Sequence, residues 1–308
     1  MLWIFLALLG AVSNAAYFII VKKYIAALDP KILTGIGFTL GGCLLFVVSA
    51  LQGFPGIGPD FFPAVATTVI LNICGLSLIF KALSSSDLSL SVPMLSFTPV
   101  FLIGTSYVIL NEAPSLFGFI GILIIVSGSY VLNISAGHEH VLDPVRSMMR
   151  NRGSWYMLIV AFLFAVSINF DKIALLNSDP FFGMALTVMS IGIAFLLISV
   201  YSHTVNTRQN RDQPEVSRVK AGQPDRAVPK KKFIILALLI GLFVAIEAAS
   251  INVAYTLQIV PYVIAIKRLS IIFMVLYGTI VLSEGDLGKR VTGAIIMVAG
   301  AIIILLFA

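Results

Sequence analysis

The sequence predicts an all-α integral membrane protein with ten transmembrane helices, arranged as two inverted five-helix repeats. Three observations predict it: a strongly apolar composition, ten long apolar runs, and two constant spacings between matching residues. Of the 308 residues, 59% are hydrophobic and 11% are charged, whereas soluble domains have about 45–50% and about 25%. The 34 charged side chains are too few for a soluble surface of this size, which excludes soluble, disordered, coiled-coil and collagen-like classes.

A transmembrane helix needs about 20 mostly apolar residues. The first apolar run is predicted to be a span and not a cleaved signal peptide, because no basic residue precedes it and it continues past the small residues at 13–15. Two connections are long, at 136–153 and 202–231, and the second is polar and expected to be flexible. The ten runs cover residues 2–21, 32–51, 61–81, 88–110, 115–135, 154–175, 181–201, 232–256, 260–282 and 288–307.

Internal repetition divides these runs into two halves. A shift of 150 positions pairs Lys22 with Lys172 and Asp29-Pro30 with Asp179-Pro180. A shift of 172 positions aligns 79–132 with 251–304 without a gap, and it pairs Ala82 with Ala254, Phe101 with Phe273, Glu112 with Glu284, Gly121 with Gly293 and Gly128 with Gly300.

The domain organisation follows from this repetition. We predict a first repeat over residues 1–136, an inter-repeat loop over 137–153, and a second repeat over 154–308 that contains the polar loop at 202–231. Because five is odd, the second repeat crosses the membrane in the opposite sense, an arrangement common in proteins with alternating access.

The positive charge indicates topology and not nucleic-acid binding. The formal net charge is +6, but aromatic residues do not alternate with the basic ones as a base-stacking surface requires. Of the 20 Lys and Arg residues, 17 lie in the odd-numbered connections. The positive-inside rule then predicts that these connections are cytoplasmic and that both termini are outside.

Three ionic residues are predicted to lie near the middle of the membrane: Glu247 in the eighth span, and Lys267 with Arg268 in the ninth. Both positions lie about 14–16 Å from the turn that joins the two spans, at 1.5 Å per residue. Lys267 and Arg268 are separated by about 100° around a helix, so only one of them can face Glu247 directly.

We expect these residues to bind a substrate, because a charge at the bilayer centre costs about 2.5–3.5 kcal/mol. In this hypothesis Lys267 or Arg268 holds an anionic group, such as a carboxylate or phosphate, and Glu247 tunes that cation or exchanges a proton. The alternative is a structural ion pair between Glu247 and one of the cations.

Weaker candidates for substrate binding are polar residues inside other spans. Asn14 and Tyr17 share one face of the first span, and Asn169 shares one face of the sixth with Lys172. Either set lines a central cavity or forms hydrogen bonds between helices, as does Asn72 in the third span.

The fourth span contains Pro93 and Pro99, which are expected to kink it and serve either as a gate or as a static bend. Glu112 and Glu284 each precede a helix, where an acid offsets the positive end of the helix dipole.

Small residues predict close helix packing. Gly37 with Gly41 forms a pattern that serves packing or a homodimer, and close approaches are expected at Gly121, Gly128, Gly293 and Gly300.

No metal site or cofactor is expected. Cys43 and Cys74 lie in apolar runs and are predicted to be buried thiols. The segment 138–140, His-Glu-His, with Asp143 nearby, is interpreted as a solvated loop because its ligands have no fixed spacing. Catalytic sequence motifs are absent from the chain, so it is not expected to be an enzyme.

Residues of the fourth and ninth spans also carry a resemblance. The first half contains the pattern Phe80-Lys81-Ala82-Leu83, Pro99 and Glu112. The second half repeats the pattern as Ala254-Tyr255-Thr256, Lys267-Arg268-Leu269-Ser270 and Glu284. The whole chain thereby resembles the EamA-type transporters of the drug/metabolite transporter (DMT) superfamily. The resemblance implies transport of a small metabolite, and both termini are often cytoplasmic in such relatives, which is opposite to the orientation predicted from charge.

We therefore expect a multi-pass transporter of the cell inner (plasma) membrane. It moves a small polar or anionic metabolite by alternating access, with export as a candidate direction and a proton or ion gradient as a candidate driving force. Its expected partners are this small-molecule substrate and the lipid bilayer, with a homodimer as a candidate assembly and no nucleic acid. The alternatives are a membrane-embedded enzyme or lipid-modifying accessory subunit, and a non-transporting sensor or scaffold.

Overall fold

The computed structural model describes residues 1–24, 30–85, 92–133, 152–211, 229–282 and 287–307. These residues form α-helices connected by turns, with one short 3-10 helix, Val92–Phe97, before α4. The helices are α1 (Leu2–Tyr24), α2 (Pro30–Gln52), α3 (Phe61–Ser85), α4 (Thr98–Leu110), α5 (Leu116–Asn133), α6 (Arg152–Leu176), α7 (Phe182–Arg211), α8 (Lys230–Leu257), α9 (Val260–Lys267), α10 (Ser270–Leu282) and α11 (Leu287–Phe307).

The helices are those of a multi-pass membrane protein. Among the described residues, eight segments are long and apolar enough to cross a bilayer, and two shorter apolar segments, Met94–Leu110 and Leu116–Leu132, accompany them. The predicted spans over 88–110 and 260–282 appear as the apolar segments Met94–Leu110 and Val260–Gly278, but neither is one uniform helix. The described part of the first begins as a 3-10 helix and continues as α4, while the second is divided into α9 and α10.

Two other predictions need correction. α7 continues to Arg211 and α8 begins at Lys230, so both ends of the expected loop at 202–231 are helical. Cys43 and Cys74 are exposed on the outside of the helix bundle and are not buried. An apolar run indicates a span, but it does not tell which side of the helix faces lipid.

The helices pack in a regular set of pairs. α1 packs along α8, α3 along α6, α2 along α7, and α5 along α11. α8 also contacts α2, and α7 also contacts α3. α9, an element of the second half, contacts both α1 and α4 of the first half.

The largest core of the described residues surrounds α9. Every residue from Val260 to Ile266 is buried, and side chains of α1, α4, α5, α6, α8 and α11 pack in the same cluster. Lys267 is the last residue of α9, and its position is fixed because the rest of the helix is held in this apolar core.

Glycines allow the close helix contacts, as predicted. A Cβ on Gly128 would lie 2.7 Å from the Met297 backbone nitrogen, and one on Gly300 would lie 2.7 Å from the carbonyl oxygen of Gly121. Gly37 and Gly41 face α8 of the same chain. Because this pair is used in internal packing, it carries no argument for a homodimer.

Candidate functional site

The break in the ninth span lies at Lys267 and Arg268. The Arg268 backbone nitrogen still donates to Ile264 O at 3.0 Å, and Ile271 N donates to Arg268 O at 3.1 Å. The break therefore leaves these backbone groups paired. Lys267 lies at the carboxyl end of α9, where the negative end of the helix dipole favours a cation.

Glu247 binds Lys267 in the structure. The Lys267 ammonium lies 2.6 Å from Glu247 Oε1, and Asn14 Nδ2 donates to the same oxygen at 3.0 Å. The two charged side chains keep 26% and 16% of their exposure, so the pair is only partly withdrawn from solvent. This contact confirms the predicted common depth of Glu247 and Lys267, and it adds α1 to the site through Asn14.

Arg268 is the second cation and has a different environment. Its Nε is buried without a hydrogen-bond partner, and its guanidinium forms no ion pair within the described part of the chain. Glu247 and the buried Tyr255 are its electrostatic neighbours. The prediction that only one of the two cations pairs with Glu247 is confirmed. We call Asn14, Glu247, Lys267 and Arg268 the charged site.

Tyr17 borders the charged site on α1. Its ring is buried, and its hydroxyl lies 3.4 Å from Thr34 Oγ1 on α2. Glu247 is within its electrostatic range. Close packing of α1 on α8 makes this possible, since a Cβ on Gly10 would lie 2.7 Å from the Ile251 side chain.

Asn169 does not belong to the charged site. It is fully buried, donates to Thr105 Oγ1 at 3.0 Å and to Ala165 O at 2.8 Å, and accepts from Ser106 Oγ at 2.6 Å. These contacts connect α6 with α4 and satisfy the amide. For Asn169 the structure therefore shows hydrogen bonding between helices, the alternative stated above. Asn72 likewise binds Ser167 Oγ of α6 at 2.7 Å.

Lys172 lies in a second polar group, which we call the Glu112 cluster: Glu112, Lys172, Gln258 and Val260. Lys172 pairs with Glu112 Oε1 and donates to Gln258 O at 3.3 Å. The other carboxylate oxygen, Oε2, accepts from the Val260 backbone nitrogen at 2.8 Å. Glu112 thus caps α9 in the second half of the chain and not the helix that follows it, which corrects our prediction. Glu284 lies outside the described residues.

Asp171 is a residue that the sequence analysis missed. It lies in α6, and its Oδ1 is buried without a hydrogen-bond partner. Thr68 and the Lys267 ammonium are near it. The signal was present in the sequence, because an aspartate inside an apolar run is itself a marker of function.

The prolines lie where the fourth span changes its helix type. Pro93 is in the 3-10 helix, and Pro99 is buried in the first turn of α4. Proline is well tolerated at a helix start, because the nitrogen there needs no helical partner. Their function as a gate remains a prediction.

The expected loop with His138, His140 and Asp143 lies outside the described residues. Within the ranges that are described, no group of three or more His, Cys, Asp or Glu residues could hold a metal ion.

Comparisons with known proteins give a family and a fold. Residues 1–134 match the EamA-like transporter family, which confirms the resemblance predicted from the sequence. A solved crystal structure of a protein is similar to this chain with a TM-score of 0.71 and 14% sequence identity, covering 99% of this chain and 97% of that chain. This likeness supports the fold alone. Among curated proteins, no sequence matches the chain.

Proposed function

We propose that this chain, whose residues 1–134 match the EamA-like transporter family, moves a small anionic metabolite across the cell inner (plasma) membrane by alternating access. The family and the apolar helices indicate a multi-pass membrane transporter of the DMT superfamily. The substrate class and the mechanism are our proposal, and the charged site supports the substrate class.

The observation that carries the proposal is the guanidinium of Arg268, which forms no ion pair with any residue that the structure describes. Lys267 is stabilised by Glu247 and by the carboxyl end of α9. Arg268, which follows at the same helix end, forms no ion pair within the described residues, and its Nε has no hydrogen-bond partner there, although a charge at this depth costs about 2.5–3.5 kcal/mol. A planar guanidinium can bind a carboxylate or phosphate through two parallel hydrogen bonds. An anionic group on the substrate would therefore offset the cost of keeping Arg268 in the membrane.

Alternating access is supported by the pairing of the helices. Under the two spacings of the repeats, α1 corresponds to α6 and α8 to α3, and the pair α1 with α8 has its counterpart in α6 with α3. α2 packs on its own counterpart α7, and α5 on its counterpart α11. This exchange of elements fits two halves related by a two-fold axis in the membrane plane.

The two corresponding places in the repeats differ in chemistry. A spacing of 150 relates Asn14 to Phe164, and a spacing of 172 relates Glu247 to Gly75. Asn14 forms a hydrogen bond with Glu247. At the corresponding place in the other half, the Phe164 ring packs on Gly75, and a Cβ on Gly75 would lie 2.6 Å from that ring. A polar site in one half and an apolar contact in the other support a single substrate site.

Reconstitution into proteoliposomes tests the proposal. Uptake is measured for a panel of carboxylates, phosphorylated metabolites, amino acids and sugars, and saturable flux of an anionic member is expected. R268Q should lower that flux by about 10- to 100-fold, the loss of one charge-assisted contact of about 1.5–3 kcal/mol. R152Q, the same change at an exposed arginine, should have no effect.

Three outcomes would contradict the proposal. Wild-type flux in well-folded R268Q would exclude Arg268 as the anion contact. Saturable flux of neutral or cationic members alone would exclude the substrate class. The absence of flux across the whole panel would favour an enzyme or a non-transporting membrane protein.

A further inference from the structure

Asp171, in α6 and outside the charged site, is a partly buried carboxylate that the proposed function does not use. Asp171 lies five residues before the end of α6 at Leu176, which is about 8 Å along the helix axis. Its neighbour Lys172 is bound to Glu112 and is not available to it. The Oδ1 atom of Asp171 is buried and accepts no hydrogen bond from the described residues.

The surroundings of Asp171 contain few groups that could neutralise it. On α3, Thr68 is the polar neighbour, but the Thr68 hydroxyl already donates to Ser167 O at 3.1 Å. The Lys267 ammonium from α9 and the Tyr255 hydroxyl from α8 are both within electrostatic range of it. Lys267, however, forms its ion pair with Glu247. Two carboxylates therefore compete for one ammonium group.

A proton satisfies such a carboxylate better than a metal ion does. A bound metal ion needs several oxygen ligands in a shell, and the ammonium of Lys267 repels another cation. A proton needs one oxygen atom and converts a charge that is costly in an apolar environment into a neutral group. Ionisable residues inside membrane spans are common elements of proton relays.

We propose that Asp171 is a proton-binding site that couples proton movement to transport of the anion, and this inference rests on the proposed function. Its oxygen forms an O–H bond with a proton from one aqueous compartment, and that bond breaks when the proton is released to the other compartment. With both acids ionised, Glu247, Asp171, Lys267 and Arg268 together carry no net charge. Protonation of Asp171 leaves one positive charge, which attracts an anion. Proton and anion therefore bind together and cross in the same direction, because coupling between two sites is reciprocal.

Infrared difference spectroscopy of the full chain, between acidic and alkaline buffer, detects the proton directly. A protonated carboxyl group has a C=O stretch that is lost on ionisation. We expect a titrating signal in the wild type and in E247Q, and its loss in D171N and in D171S, the second variant in case one misfolds. D60N makes the same change at an exposed aspartate and should keep the signal. Retention of the full signal in both Asp171 variants would overturn the proposal.

Sulfate binding, measured by thermal stabilisation, tests the coupling to an anion. Sulfate is a suitable probe because its charge stays constant near neutral pH. In the wild type its affinity should rise by about tenfold as the pH falls, a usual size for coupling between two sites. D171N should bind sulfate tightly at every pH. The coupling would be refuted by a wild-type affinity that does not change with pH.

The same measurements separate this inference from the proposed function. R268Q should lose sulfate binding and keep the Asp171 carboxyl signal. If sulfate fails to bind the wild type while the Asp171 signal titrates, the anion contact at Arg268 is wrong and the proton site stands. If sulfate binds but the signal is absent, the proton site is wrong and the anion contact stands.

Discussion

Replacing Glu112 by glutamine should destabilise the protein strongly, because it removes the partner of a buried lysine. Lys172 is 9% exposed and would keep only uncharged oxygen acceptors, such as Gln258 O at 3.3 Å. Removing one member of a buried ion pair costs about 3–5 kcal/mol. The two side chains retain 11% and 14% exposure, so some water relieves the charge. We therefore expect E112Q to cost about 3 kcal/mol, the lower end of that range.

Two further variants, K172M and the double variant, measure how strongly Glu112 and Lys172 stabilise each other. K172M should cost less, about 2 kcal/mol, because Glu112 keeps the Val260 amide at 2.8 Å. The double variant E112Q/K172M leaves no unpaired charge. We expect it to cost about 1–2 kcal/mol, so the two residues are coupled by about 3 kcal/mol, near the upper end for interacting pairs.

Reversible unfolding in mixed micelles measures this double-mutant cycle. D60N, at an exposed aspartate, is the control and should change the unfolding free energy by less than about 0.5 kcal/mol. If the effects of E112Q and K172M add within about 0.5 kcal/mol, the two residues do not stabilise each other, and the reasoning is refuted.

The same unfolding measurement checks three further predictions. G128A should cost about 1–3 kcal/mol, because the new Cβ would meet backbone atoms at 2.7 and 2.8 Å, whereas G104A has open space and should gain up to about 1 kcal/mol. N169A should cost about 1–3 kcal/mol, because it leaves the buried Ser106 hydroxyl on α4 without its acceptor, and an unchanged stability would contradict the network. D179A should cost about 1 kcal/mol, because Asp179 accepts from two backbone nitrogens at the start of α7, and D179N should retain most of that stability.

Much of the fold could be predicted from the sequence because the bilayer imposes a strong pattern. A hydrophobic run of about 20 residues has few alternatives to a spanning helix. The bounds of α1, α2 and α6 accordingly agree with the prediction to within a few residues. The break after Lys267 could not be read in this way, since neither proline nor glycine lies at residues 267–270 to mark it.

Pairing of the functional residues was only partly predictable. The common depth of Glu247 and Lys267 follows from counting residues along two neighbouring helices. That one of the two cations faces Glu247 was predicted, but not that it is Lys267. The partner of Glu112 depends on where α9 begins within the assembled bundle, and helix periodicity carries no such information. Asp171 was not predicted as a functional residue, because only the face of α6 that carries Asn169 and Lys172 was considered. The two side chains diverge by about 100° and meet different helices.

The break between α9 and α10 has a mechanical consequence. Any change of angle between these two helices must turn about the residues that connect them, and Arg268 is one of those residues. The group proposed to hold the substrate is therefore part of the joint itself. A ligand bound to Arg268 therefore acts directly on the angle between α9 and α10. Ligand binding and the change of this angle then need no series of distant side chains to connect them.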